Sequence, residues 1–155
     1  MPSDIYQTLS ARYIPEKPLK TYSIIATEEK GIHYRANITP PRGAAIFQVD
    51  GCIITSGCKC DKLLLSKNPS DLATWFGHFI ELKGTDVGHA IDQLEATIQH
   101  PLFNDNSLVK KFARIIARSF PSSKGDPLVE RARIRFRQQY QCELKTLKSQ
   151  NPDTV

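Results

Sequence analysis

Ile5, Leu9 and Tyr13 recur at every fourth residue, the spacing of one face of a helix, and Pro15 and Pro18 end that stretch. Residues 22–26, Tyr-Ser-Ile-Ile-Ala, read as a strand, and 32–38 as its return strand after a turn at Glu28-Glu29-Lys30-Gly31. Pro40-Pro41-Arg42-Gly43 breaks the chain again. Further strands are expected at 45–49, 59–66 and 75–82. Between the first two, Asp50-Gly51 is a hairpin signal that leads into a short β-rich piece at 52–55. Thr85 then offers an N-cap, with Asp86 in the first turn, and Val87, Ala90, Ile91, Leu94 and Ile98 follow at helical spacing until Pro101.

Two later segments fit two templates each. In 107–120, Leu108, Phe112, Ile115 and Ser119 form a helical stripe, while Phe112, Arg114, Ile116 and Arg118 alternate as on a strand. In 126–140, Asp126-Pro127 is a helix start, with Leu128, Ala132, Phe136 and Tyr140 four apart, yet 131–137 alternates with Arg at every odd position. Local pattern leaves both open. The tail after Ser149 is expected to fray.

Composition narrows the class. With 155 residues, 40% hydrophobic and 24% charged, the chain has the size of one domain, 1–155, with enough apolar material for a core. No apolar run is long enough to span a bilayer, and the N-terminus lacks the pattern of a secretory signal, so no membrane is expected and the location is read as cytoplasmic. Cys58-Lys59-Cys60 does not have the spacing of a zinc knuckle, and Cys52, Cys58, Cys60 and Cys142 read as small buried hydrophobes. The net charge is +5, and the basic residues crowd into 108–148, which points toward an anionic partner or simply a solvated face.

The chemistry concentrates in Glu81-Leu82-Lys83. Residues two apart on a strand share a face, so a carboxylate and an ammonium stand side by side. Asp61 on the preceding strand lies across from them if the two strands form a hairpin. Two converging carboxylates suit a hard cation such as Mg²⁺, which prefers oxygen ligands and keeps several waters. Such an ion acidifies a water and stabilises charge on a phosphoryl oxygen, and a neighbouring lysine orients that water or stabilises the same charge. Gln93, on the following helix, is placed to assist, and Gly84 and Gly88 leave the helix start open to a phosphate backbone.

The runs 60–65 (Cys-Asp-Lys-Leu-Leu-Leu), 79–84 (Phe-Ile-Glu-Leu-Lys-Gly) and 90–94 (Ala-Ile-Asp-Gln-Leu) together resemble the core of the PD-(D/E)XK nuclease superfamily. The resemblance covers roughly 45–120. It implies an α/β, restriction-endonuclease-like fold with a central mixed sheet flanked by helices, in the order helix, three antiparallel strands, helix, strand. On that order 111–120 becomes a strand and the Arg-rich stretch a later helix. It also implies a hydrolase that binds magnesium, with Mn²⁺ as a substitute, and cleaves phosphodiesters, with DNA rather than RNA as the expected substrate. Asp61, Glu81, Lys83 and Gln93 are then the catalytic set, and Asp61, Glu81 and the Leu82 carbonyl the metal ligands. Arg114, Arg118, Arg131, Arg133 and Arg137 become nucleic-acid contacts. Two features depart from the pattern. Cys60 stands where the family often has Pro, and the family's first-helix glutamate has no clear counterpart, since Glu28 and Glu29 read as turn. Asp50 is a further carboxylate for the same site or part of its own turn. The alternative is a non-catalytic nucleic-acid-binding or protein-interaction module on this fold, within a defence or mobile-element complex; a homodimer or larger complex stays open.

Overall fold

The structure, a computed structural model, describes residues 3–57, 59–82, 86–119 and 127–155. Cys58, Lys83, Gly84, Thr85 and Asp126 lie outside the described residues. Among the described residues the elements are α1 (Ile5–Ser10), β1 (Lys17–Glu29), β2 (Ile32–Gln48), β3 (Lys62–Asn68), β4 (Asp71–Leu82), α2 (Val87–Ile98), β5 (Leu108–Ala117), α3 (Pro127–Tyr140), β6 (Cys142–Lys148) and β7 (Pro152–Thr154), with a 3-10 turn at Pro101–Phe103. The protein is thus α/β, with three helices against a seven-stranded mixed sheet. Strands β1 to β6 lie in chain order, antiparallel from β1 to β4 and parallel from β4 to β6, while β7 pairs parallel with β2. No helix among the described residues is long and apolar enough to cross a membrane.

Both faces of the sheet are covered, which accounts for unbroken apolar runs such as Leu63-Leu64-Leu65. Leu63, Leu65, Phe79, Ala113 and Ile115 pack on one face against Ile5 and Leu9 of α1, Ala90, Ile91 and Leu94 of α2, and Val129, Ala132 and Phe136 of α3. Leu64, Ile80, Leu82 and Ile116 pack on the other against Ile25, Ile32, Tyr34, Ala36 and Ile38. The second cover is therefore made of β1 and β2 themselves. Their pairing jumps from Tyr22↔Arg42 to Ile24↔Asn37, leaving 38–41 over on the longer strand. Pro40 and Pro41 cannot donate to a ladder, so the surplus residues bulge and the paired strands bend there. Residues 44–48 stay in the sheet beside β3, and 32–38 swing over it as a β-arm.

Several expected boundaries shift. Segments 32–38 and 45–49 belong to one strand, because the bulge at the prolines bends the pairing without ending it. The turn expected at 28–31 shrinks to Lys30-Gly31, both at positive φ (52° and 80°), so Glu28 and Glu29 are strand residues. Gly51, at φ +80°, does turn the chain after Asp50, but 52–55 is no strand; only a single bridge joins Asp50 to Ile54. Asp86, one residue later than expected, is the N-cap of α2 and accepts from the His89 N–H. Of the two ambiguous segments the first forms β5 over Leu108–Ala117 and the second α3 over Pro127–Tyr140: β5 is flanked on both sides by parallel partners, which override its helical stripe. The tail does not fray. β7 pairs with 35–37, and Asp153 is buried against Tyr34 and Arg114.

Beneath the arm, His78 is 1% exposed and stacks on Phe112 at 4.5 Å between ring centroids. Burial, with Arg114 nearby, pushes its pKa down to about 3, so the ring stays neutral in the fold. An unfolded histidine takes its proton near pH 6.5, so from there down to about pH 3 the unfolded chain binds the extra proton and stability falls with acid. His78→Leu is expected to flatten the decline in melting temperature between pH 7 and pH 4.5. An unchanged slope in parallel melts removes His78 from the acid response.

Candidate functional site

The carboxyl end of β4 is where the motif residues meet. In the β3–β4 ladder Lys62 pairs with Ile80, and one step outward Asp61 stands opposite Glu81, on the same face of the sheet. The Asp61 N–H bonds to the Ile80 carbonyl at 3.1 Å, which extends the ladder to that step. Asp61 Oδ2 accepts from the Leu82 N–H at 2.8 Å. Glu81 is 1% exposed, and its carboxyl lies near enough to Asp61 to lower the Asp61 pKa. Asp61 is only half-buried, yet burial raises its pKa, against the lowering by the Leu82 N–H.

A cleft of about 320 Å³ opens beside this pair. Asp61, Leu82 and Gln93 line it from the sheet and α2, Asp50 from the β2–β3 loop, Arg118 from the end of β5, and Glu29, Lys30 and Ile32 from the tip of the β-arm. It lies at the carboxyl ends of the parallel strands β4 and β5, the usual ligand-binding edge of such sheets. Arg118 donates to the Lys30 carbonyl at 2.9 Å and so ties the end of β5 to the arm tip. The Gln93 Oε1 is buried without a hydrogen-bond partner among the described residues.

A divalent cation, implied by the resemblance, fits this donor set. Among the described residues no three His, Cys, Asp or Glu are spaced to hold a metal. Mg²⁺ needs no such cage, because it binds through one or two carboxylates and keeps waters. Asp61 and Glu81 supply the carboxylates, and Gln93 Oε1 is an orphaned acceptor for a bound water. Since protons compete for the same oxygens, metal affinity is expected to fall with acid, starting above the ordinary Asp range because the Asp61 pKa is raised. Melting temperature should rise with millimolar Mn²⁺ or Mg²⁺ at pH 7.5, rise less at pH 5, and not respond in Asp61→Ala. A metal response that survives in Asp61→Ala places the ion elsewhere.

The other expected residues divide. Lys83 lies outside the described residues. Arg118 reaches the cleft. Arg114 does not: it is 2% exposed and bonds Asp153 at 2.8 Å and the Glu143 carbonyl at 3.0 Å. A strand arginine pointing beneath the arm cannot meet a phosphate, which corrects its expected role. Arg131, Arg133 and Arg137 lie on α3 and none of them lines the cleft. Arg133 is engaged by Glu130 at 2.5 Å and by the Leu144 carbonyl at 3.2 Å, while Arg131 and Arg137 are exposed. Cys60 and Cys142 are buried as expected, but Cys52 is exposed.

Sequence reasoning missed two residues. Glu29 enters the cleft from the arm, and Lys62, 4% exposed, puts its ammonium 3.5 Å from Glu29 Oε2 and in contact with Glu16 and Gln48. The Lys30-Gly31 pair, a two-residue turn signal, was the clue that Glu29 ends a strand. Nothing local marks Lys62, whose acidic partners come from the folded arm. Neither a protein-family model, nor a curated protein, nor a solved structure matches the chain.

Proposed function

We propose that the protein is a metal-dependent nuclease with a restriction-endonuclease-like core, acting on DNA in preference to RNA. The observation that carries this reading is the register that sets Asp61 opposite Glu81 at the ends of β3 and β4, beside a cleft that Asp61 lines. The order helix, antiparallel strands, helix, parallel strand supports it as well. When bound, the cation supplies an acidified water and draws charge from a phosphoryl oxygen. Asp61, Glu81 and the Leu82 carbonyl would hold it. In this reading Lys83 stabilises the negative charge that develops on the phosphate, Gln93 orients the attacking water, and Arg118 steadies the substrate phosphate.

The test is incubation with linear, nicked, branched and single-stranded DNA and RNA, with Mg²⁺, Mn²⁺ or chelator. Cleavage that chelator stops is expected, with DNA cut faster than RNA. Binding without cleavage under every condition would instead favour the non-catalytic module.

A further inference from the structure

We infer that the substrate of this site is an unpaired nucleotide strand and that intact duplex is excluded; this rests on the nuclease reading above. The reacting carboxylates are recessed. Glu81 is 1% exposed, and Asp61 lies in a cleft that the arm-tip residues Lys30 and Ile32 also line. A volume of about 320 Å³ is at the low end for small-molecule sites, ~300–1,000 Å³. A recess of that size matches a single nucleotide and its phosphate, and a buried Glu81 is reached more readily by a strand that is not held in a duplex.

The arm tip is also held in place. Arg118 bonds the Lys30 carbonyl at 2.9 Å, and a Cβ added at Gly31 would sit 2.9 Å from the same guanidinium, so the tip lies directly against the end of β5. Behind it, Lys62 joins Glu29 of the returning arm to Glu16, just before β1, and to Gln48 in the sheet. The arm is thus clamped at its tip and behind it, and the wall does not simply swing aside for a duplex. Charge points the same way. Among the described residues Glu29, Asp50 and Asp61 offset Lys30 and Arg118 around the cleft, and no arginine of α3 lines it. A duplex reader needs a track of phosphate contacts. A strand that delivers one phosphate beneath the tip does not.

The step itself is ordinary hydrolysis. The water oxygen bonds to phosphorus, the ester P–O bond breaks, and the leaving oxygen takes a proton, giving one phosphomonoester and one hydroxyl.

The experiment compares one sequence as a linear single strand, a blunt duplex and a relaxed closed duplex circle, with Mg²⁺ and equal phosphodiester concentration. Unpairing must come before cleavage in the duplexes, so the single strand should be cut on the order of a hundredfold faster than the closed circle. In Arg118→Ala, which releases the arm tip, that ratio should fall toward one even if both rates drop. Equal rates on single strand and closed circle in the parent protein overturn the inference and leave the nuclease reading standing. An unchanged ratio in Arg118→Ala overturns the role of the arm tip. Failure to cut any substrate overturns the nuclease reading, and this inference with it.

Discussion

Glu81→Gln is expected to abolish metal-dependent cleavage without unfolding the protein. The amide has nearly the volume of the carboxyl it replaces and carries an N–H donor, so the β3–β4 edge keeps its backbone pairing and packing. What it loses is the second charged oxygen ligand. The expected loss is a hundredfold or more in rate, about 3 kcal/mol of barrier. Lys83→Ala should lose rate to a similar degree with nucleic-acid affinity largely kept, because an ammonium beside the scissile phosphate mainly stabilises charge that appears in the transition state. Arg118→Ala should differ from both by lowering affinity and reducing the salt slope by about one unit. Single-turnover cleavage at saturating enzyme, with melting curves run alongside, separates these cases. Parent-like cleavage in both Glu81→Gln and Lys83→Ala removes the site from the chemistry.

The residues of this site were legible in the sequence because their placement is local. Glu81 and its strand neighbours follow from the two-residue period, and Asp61 from the hairpin that joins β3 directly to β4. The strand–helix order around them follows from capping and apolar spacing. What the sequence hid depends on distant contacts. Arg114 looked like its exposed neighbours in a basic run, and only the arrival of Asp153 and Glu143 turned it inward. Glu29 looked like a turn residue because the two-residue tip was read as four. The helix-or-strand ambiguity of 107–120 was real at the level of pattern. It was settled by β4 and β6, partners that lie tens of residues away on either side. Strands β6 and β7 were not anticipated at all, since neither Cys142–Lys148 nor Pro152–Thr154 carries a strong apolar alternation.

The C-terminal strand should prove essential to stability, far beyond what three residues suggest. Asp153 is 2% exposed; its Oδ2 accepts from Arg114 Nε at 2.8 Å and from the Tyr34 hydroxyl at 2.8 Å, joining β7 to β5 and to the arm. Around it the Val155 N–H bonds the Asn37 carbonyl at 2.9 Å, and the Gln150 N–H bonds that of His33 at 3.1 Å. Asp153→Ala would leave the Arg114 guanidinium buried with Glu143, half-exposed at the rim, as its remaining acidic partner. Breaking a buried pair from one side costs about 3–5 kcal/mol, which for a chain of this size lowers the melting temperature by on the order of 10 °C. The loss comes from the stranded charge rather than from the pair's net attraction, so removing both partners should be milder. The double variant Arg114→Met, Asp153→Leu is therefore expected to recover much of the stability lost in Asp153→Ala. Urea and thermal melts of the three proteins test this. If Asp153→Ala melts within a degree or two of the parent, β7 is a passenger and not a clasp. If the double variant is as unstable as Asp153→Ala, the cost lies in lost packing and not in the unpaired arginine.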